Sequence, residues 1–333
     1  GTFPSVSGGW IISKENFFKA PAIDFLKLRA SLGSTGNDAV GGWKWQESYA
    51  VNGDYLFGTT PQPRLQYGGI INPNLTWEKT RAFNIGIDSR LFRGVSLTAE
   101  YYKGHNDDIL DSRTVSLPAS FGGTLPPENY GIVDTHGFEL ELGYTGNIGE
   151  VTYGIKGNLA YATNKVILKD VAENALNVDN PNGRPTDYVS MLVSTGIIRT
   201  QKQLDDLPAG YTIYGITPTL GALSFQDVNG PGGTPDGKID DYDRQVIQGK
   251  HYQNPYTFGL NLTAQWKGFG ASVFFQGITG VSKLYEDGFD RRFFDGARPP
   301  SFWLDSWSPD NVNAAYPKPV PWDYTRDNLP STF

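Results

Sequence analysis

The chain contains 333 residues and carries a net charge of −7, with 40 glycines, 22 prolines and no cysteine. This length suits two average domains or one large all-β domain. The missing cysteines exclude disulfide scaffolds and thiolate chemistry, and the acidic balance argues against a nucleic-acid binder, because phosphates need a basic stripe. Aromatic residues make up 14 % of the chain, which together with the glycines and prolines favours strands and turns.

Alternation of apolar and polar side chains marks the predicted strands, because successive residues of a strand face opposite sides. The clearest segment covers residues 24–35, in which Leu26 and Leu28 lie on one face while Lys27 and Arg29 lie on the other. Further segments bring the predicted strands to eight: residues 3–12, 83–91, 95–102, 138–144, 151–161, 258–266 and 271–275. Three hairpin turns join them at residues 92–94, 146–150 and 267–270.

The connections between these strands alternate in length. Short turns lie at one end, and the long connections are residues 35–76, 103–135, 166–255 and everything after residue 277. The longest uncharged stretch, residues 207–226, holds two prolines and three glycines, so it does not predict a spanning helix. Tight turns opposite long loops are typical of an outer-membrane β-barrel. The sequence therefore predicts an all-β fold, an antiparallel transmembrane β-barrel segment with long extracellular loops; a secreted soluble all-β glycan-binding module stays open as the alternative.

We expect the apolar side of these strands to face lipid. The predicted outward set is Leu26, Leu28, Ile85, Ile87, Leu97, Leu140, Leu142, Tyr153, Ile155, Leu260, Leu262, Val273 and Phe275. In the second hairpin, placing Tyr144 opposite Val151 puts Glu139 opposite Lys156. A closed barrel of eight strands is too narrow for the charges on the polar side. We therefore expect an open sheet whose edge strands pair with other parts of the same protein.

The charges on the polar side predict solvation or cross-strand pairing, and not catalysis. They are Lys27, Arg29, Asp88, Arg90, Glu100, Glu139, Glu141 and Lys156. Glu139 and Glu141 lie two positions apart on one strand, and nothing near them raises the pKa of one selectively, as a glycosidase needs. We therefore predict that the chain is not an enzyme.

Loop aromatics are the candidates for substrate binding, since flat rings with a polar edge suit sugar faces. They form two groups: Trp43, Trp45, Tyr49, Tyr55 and Phe57 in one loop, and Trp303, Trp307, Trp322 and Tyr324 near the end of the chain. Contact with a partner protein and packing of loop against loop stay open as alternatives.

An acidic segment at residues 227–243, within the long loop 167–255, resembles a calcium-binding loop once residues 231–235 are set aside. Its oxygen ligands would come from Asp227, Asn229, Asp236, Lys238 (through its carbonyl), Asp240 and Asp243, with Gly237 at the sharp turn. The site would hold a structural Ca²⁺, and no other cofactor is expected. A solvated acidic turn, in which Asp and Asn cap their own backbone, is the alternative.

The sequence between the strands resembles the SusC/RagA family of TonB-dependent outer-membrane transporters. The resemblance rests on residues 3–10, FPSVSGGW, on residues 26–31, LKLRAS, and on residues 72–80, NPNLTWEKT, each in order and at family spacing. Shorter stretches agree at residues 84–88, NIGID, and residues 137–140, GFEL.

This resemblance implies a 22-stranded barrel with an N-terminal plug in the outer membrane of a Gram-negative bacterium. It implies uptake of oligosaccharides or peptides, a SusD-like surface lipoprotein as external lid, and energy from the TonB complex. Residues 1–333 would all belong to one barrel domain. The plug, the TonB-contacting segment and the remaining strands have no counterpart here, so we expect the chain to be a fragment of a longer polypeptide.

Overall fold

The structure, a computed structural model, describes residues 1–38, 45–92, 94–113, 119–121, 125–253, 255–282 and 301–319, with Ala119 and Lys250 described by their backbone alone. The chain divides into two compact units. The first, which we call the sheet unit, comprises Gly1–Ala175, Asn180–Thr186 and Asn254–Gly280. The second, the loop unit, comprises Leu176–Asp179, Asp187–Gln253 and Val281–Phe333.

Strands dominate the described residues. In chain order they are β1 (Ser5–Ile11), β2 (Ile23–Asn37), β3 (Tyr49–Phe57), β4 (Thr60–Tyr67), β5 (Glu78–Leu91), β6 (Val95–Asp111), β7 (Glu128–Ile148), β8 (Val151–Leu168), β9 (Tyr188–Met191), β10 (Ser194–Ile197), β11 (Thr212–Ile213), β12 (Leu223–Phe225), β13 (Lys238–Ile239), β14 (Gln245–His251), β15 (Tyr256–Trp266) and β16 (Phe269–Thr279). Helix α1 covers Gln201–Asp205, and five short 3₁₀ turns cover Ile12–Lys14, Ala119–Phe121, Asn177–Asp179, Asp241–Asp243 and Ser301–Asp305. Within the described ranges, no helix is both long and apolar enough to cross a membrane.

Eight strands form one antiparallel sheet in the order β1-β2-β5-β6-β7-β8-β15-β16. This confirms the eight predicted strands and the all-β fold. Strands β1 and β16 lie at the two edges of the sheet and do not pair with each other within the described residues. The sheet is therefore open, as predicted, because eight strands carrying charges on one face do not close on themselves.

The register between β7 and β8 differs from the predicted one. Tyr144 lies opposite Ile155, and not opposite Val151. As a consequence, Glu139 lies opposite Ala160, four residues beyond its predicted partner. The prediction was wrong because it assigned too many residues to the turn.

The turns themselves explain this difference. Ile148 pairs with Val151, so only two residues form the turn between β7 and β8. Gly149 has φ +59°, which is the conformation that a type II′ hairpin needs at its first central position. In the turn between β15 and β16, Lys267 and Gly268 both have positive φ, as a two-residue type I′ turn requires.

The loop unit contains short strands and a hydrophobic core of its own. Strand β10 pairs with β12, β14 pairs with β9, and β11 runs parallel to β13. The core consists of Leu192, Ile197, Tyr211, Ile213, Leu223, Phe225, Ile239, Trp307 and Ala314. These residues come from distant parts of the sequence, so the unit is stabilised by burial of apolar side chains rather than by an extended sheet.

Candidate functional site

One face of the eight-stranded sheet forms a continuous apolar belt. The register places Leu28, Ile87, Ala99, Leu140, Leu159 and Phe258 in one cross-strand row. Every residue of the predicted outward set is at least partly exposed, and Leu142 is 48 % exposed. The predicted residues therefore share one exposed face, and contact of that face with lipid stays a prediction. A soluble sandwich needs this face to be enclosed in a dry core, so that alternative is wrong.

Aromatic side chains border the belt at both ends. Toward the long loops, the rings of Phe138 and Tyr161 lie 5.7 Å apart, and those of Tyr161 and Tyr256 lie 4.7 Å apart. Toward the short turns, Tyr144 and Tyr153 lie 5.8 Å apart. Apolar bands flanked by aromatic girdles are typical of outer-membrane barrels, because amphipathic rings suit the boundary between hydrocarbon and headgroups.

The opposite face of the sheet carries paired charges. The Arg29 guanidinium lies 2.6 Å from a Glu100 carboxylate oxygen and 3.4 Å from one of Asp88. Lys156 Nζ lies 2.9 Å from Glu141 Oε1, which is the diagonal contact that the observed register allows. These pairs are partly exposed, so each contributes about 0–1 kcal/mol to stability. Their main effect is to give the inner face a polar, water-compatible surface.

The loop between β2 and β5 carries an exposed aromatic hairpin, formed by β3 and β4. All of its residues are exposed, with Tyr55 at 61 % and Phe57 at 71 %. The rings of Tyr49 and Tyr67 lie 5.5 Å apart across the two strands and are tilted by 57°, and those of Tyr55 and Phe57 lie 5.9 Å apart. Trp45, just before the hairpin, is also exposed. Trp43 lies outside the described residues.

The aromatic residues near the end of the chain divide into two environments. Trp303 lies 5.4 Å from the rings of Phe302 and Tyr316 in a partly exposed cluster. Trp307 is only 6 % exposed and packs in the core of the loop unit. The sequence-based assignment of Trp307 to a ligand site required a ring open to solvent, so the structure corrects it to a core residue. Trp322 and Tyr324 lie outside the described residues.

The acidic loop is closed by two carboxylates. Asp243, with no solvent exposure, accepts backbone N–H bonds from Val228, Asn229 and Asp240 at 2.8, 3.2 and 3.0 Å. Asp227 accepts from the N–H groups of Asp236 and Gly237 at 3.3 and 2.7 Å. Each carboxylate therefore ties one end of the loop to the other, as in the acidic-turn interpretation.

The predicted carboxylate ligands for calcium accept hydrogen bonds from backbone N–H groups. Among the described residues, no three His, Asp or Glu side chains are grouped so that they could hold one metal ion. Asp236 and Asp240 instead accept from the N–H groups two residues farther on, at 3.0 and 2.8 Å. Calcium binding here stays a prediction. A rise in melting temperature of the full-length protein on adding calcium, absent in Asp227→Asn, is the expected result.

Burial changes the acid–base behaviour of the loop unit. Desolvation raises the pKa of the Asp243 carboxyl above its ordinary value, although its three N–H donors act in the opposite direction. Burial likewise raises the pKa of Tyr211, whose hydroxyl donates to the Phe225 carbonyl at 3.2 Å and accepts from the Phe225 N–H at 3.0 Å. These groups position the acidic loop against the core.

One residue that holds two distant segments of the loop unit together was not among the candidates from the sequence. The Arg199 guanidinium donates to the carbonyls of Val312 and Ala314 at 2.7 and 2.8 Å. These partners lie more than a hundred residues away in the chain, so no local pattern could have identified them. Arg199 fixes the segment that carries Trp307 and Tyr316.

An open sheet with a belt between aromatic girdles, a charged opposite face and long loops at one end defines part of the wall of an outer-membrane β-barrel. Residues 1–318 match the family described as TonB dependent receptor-like, beta-barrel. The chain belongs to this family. Its location is the outer membrane of Gram-negative bacteria, as predicted.

Individual relatives agree with this membership. A TonB-dependent receptor of Formosa agariphila is 27 % identical over 333 residues, which is 95 % of this chain and 32 % of that protein. The TonB-dependent receptor SusC of Bacteroides thetaiotaomicron is 32 % identical over 152 residues, 43 % of this chain and 15 % of SusC. A solved structure of the RagAB peptide transporter has a TM-score of 0.74 at 22 % identity, covering 95 % of this chain and 34 % of that one. The chain thus spans about a third of the length of this Formosa agariphila relative.

Proposed function

We propose that the full-length protein imports oligosaccharides or peptides across the outer membrane with energy from the TonB complex, without chemical change to the substrate. The family membership supports import, and one similar solved structure is that of a peptide transporter. Paired carboxylates and cations on the inner face offer a polar wall to a hydrated substrate.

A SusD-like surface lipoprotein is proposed as the lid, and the β3–β4 hairpin is proposed as its contact. The observation that carries this proposal is the exposure of Tyr55, Leu56 and Phe57 at the tip, where 61–71 % of each residue is open to solvent. Apolar residues on both sides of a two-stranded ribbon lower their free energy when a partner covers them. Rim contacts alone give little affinity, whereas clustered aromatic side chains often dominate it.

Co-purification of the lid lipoprotein with the full-length protein tests this contact. Tyr55→Ala combined with Phe57→Ala should reduce recovery of the lipoprotein at least about fivefold. Gln62→Ala is the matched control, because Gln62 is exposed and lies directly opposite Tyr55. Full recovery with the double variant would contradict the hairpin contact but leave import itself untouched.

Uptake of labelled oligosaccharides and labelled peptides by intact cells tests import. Deleting the gene should abolish uptake of one of the two substrate classes, and deleting the TonB gene should abolish the same uptake. Undiminished uptake of both classes after deletion, with intact TonB, would refute the proposed import. The class that is lost identifies the substrate.

A further inference from the structure

The hairpin formed by β3 and β4 has two outer edges, and two prolines make these edges different at its tip. Pro61 lies opposite Leu56, and Pro63 lies opposite Asp54. Proline has no N–H group, so neither pair can exchange the two backbone bonds of a hydrogen-bonded pair. Because bonded and non-bonded pairs alternate along antiparallel strands, the backbone groups of all four residues point outward, away from the partner strand.

The outer edge of β4 is thereby closed to a further strand at the tip. Pro61 and Pro63 offer no donor there, and proline on an outer edge protects a sheet against pairing with another chain. The outer edge of β3 lacks this protection, since Asp54 and Leu56 each present an N–H donor and a carbonyl acceptor. Among the described residues, β3 pairs with β4 and with no other strand. The tip of β3 is therefore a template for an added strand.

The charge at this edge selects the chemistry of the partner. Asp54 is exposed and lies opposite the uncharged Pro63. Arg64 is the one basic residue in the sequence of the hairpin, and it donates to the Asn52 carbonyl at 3.2 Å and to Gln66 Oε1 at 2.8 Å. The hairpin thus supplies no cation to Asp54. A partner strand with Lys or Arg beside this carboxylate gains a cross-strand ion pair.

We infer that the tip of β3 binds an extended segment of the lid lipoprotein as an added strand. The N–H and C=O groups of this segment bond to those of Asp54 and Leu56. The segment carries Lys or Arg beside Asp54 and apolar side chains beside Tyr55 and Leu56, which lie on opposite faces because successive side chains of a strand alternate. Backbone bonds then supply affinity, and the alternating side chains supply specificity.

Two other occupants fit this edge less well. An oligosaccharide has no row of N–H and C=O groups at the spacing of a strand. The β3 tip of a second copy of this chain offers another Asp54 carboxylate and no cation. Strand addition by the lipoprotein rests on the lid contact proposed above, and it assigns that contact to the backbone of one edge as well as to the aromatic side chains.

Hydrogen exchange of the full-length protein, with and without the purified lid lipoprotein, tests how the contact is made. Exchange of the Asp54 and Leu56 amides should slow at least about tenfold in the complex, because both N–H groups become bonded.

The Leu65 amide on β4 is the matched control. The Gly68 N–H donates to the Ser48 carbonyl at 2.8 Å, and this bond fixes the alternation along the base of the hairpin. The pair of Val51 and Leu65 is then a non-bonded one, so the Leu65 N–H also points outward, but from the other edge. Its exchange should be the same with and without the lipoprotein.

Proline variants test the same edge by co-purification. Leu56→Pro removes the outward donor of β3, as Pro61 does on β4, and leaves the bonds within the hairpin in place. Recovery of the lipoprotein should fall at least about fivefold. Leu65→Pro loses the same side chain and the outward donor of the other edge, and it should keep full recovery. Asp54→Lys should lower recovery about threefold at low salt and less at high salt.

The outcomes separate strand addition from the lid contact itself. Strand addition is overturned if the Asp54 and Leu56 amides exchange unchanged in the complex, if Leu65 slows equally, or if the two proline variants recover the lipoprotein equally. The lid contact still stands in those cases when Tyr55→Ala with Phe57→Ala lowers recovery. A parent protein that recovers no lipoprotein refutes both. Slowing that needs no lipoprotein and grows with protein concentration would assign the edge to a second copy instead.

Discussion

The two units place their large apolar side chains in opposite environments. In the sheet unit, large apolar side chains such as Ile85 and Leu142 remain about half exposed, while the charges form pairs on the other face. In the loop unit, Ile213 and Ile239 are completely enclosed. Large apolar side chains are thus exposed in one unit and enclosed in the other. The sheet keeps its apolar side chains for lipid, whereas the loop unit must bury them to be stable in water.

The largest expected effect comes from placing a charge in the loop-unit core. Ile213→Asp puts an unpaired carboxylate where no solvent reaches, which should cost about 4 kcal/mol or more and unfold the unit. Hydrogen exchange in the full-length protein should show lost protection over residues 211–243. Val228→Asp is the matched control, because Val228 is 39 % exposed in the same unit. Equal exchange in the two variants would mean that the unit has no independent core.

A charge in the belt should have the next largest effect. Leu142→Arg faces the hydrocarbon and should destabilise the full-length protein by about 2–4 kcal/mol in lipid. Denaturant unfolding in bilayers measures this cost. Asn158→Arg on the inner face is the control and should cost far less. If the two variants unfold at the same denaturant concentration, the belt does not face lipid.

The sequence predicts the structures of the two units to different extents. Period-two alternation alone identified the eight strands, because a residue such as Leu140 must face lipid while its neighbours Glu139 and Glu141 face the interior. The register between β7 and β8 was not predictable in the same way. Alternation fixes the face of each residue but leaves shifts by even numbers open, and the two-residue turn at Gly149 decided between them.

The loop unit could be predicted much less well. Its core joins Tyr211, Phe225 and Trp307, which lie far apart in the sequence, and its strands have two to seven residues. Most of these segments are too short to show an alternating pattern. Trp307 illustrates the consequence, since a tryptophan in a loop fits a ligand site and a core equally well until its neighbours are known. The acidic segment was recognised, but the roles of Asp227 and Asp243 as backbone acceptors depend on the fold of the loop.

The carboxylate of Asp243 provides a smaller test of how the loop unit is held. Asp243→Ala leaves three backbone N–H groups without acceptors and should cost about 2–3 kcal/mol. Asp243→Asn keeps one acceptor oxygen and should cost less. Hydrogen exchange of the Val228 and Asn229 amides measures both effects. Full protection in the alanine variant would show that water replaces the carboxylate without loss.

The smallest expected effect is the pH dependence of the same group, and its sign follows from burial. Because burial raises the pKa of Asp243, the folded loop unit binds more protons than the unfolded chain between the ordinary pKa and the raised one. The free energy of unfolding of the loop unit should therefore fall as the pH rises through that window and become level above it. Exchange of the Val228 amide between about pH 4 and pH 7, corrected for intrinsic rates, measures this slope. Asp243→Asn should remove this contribution to the slope, and a contribution from Asp243 that instead raised stability with pH would mean that the three N–H donors outweigh desolvation.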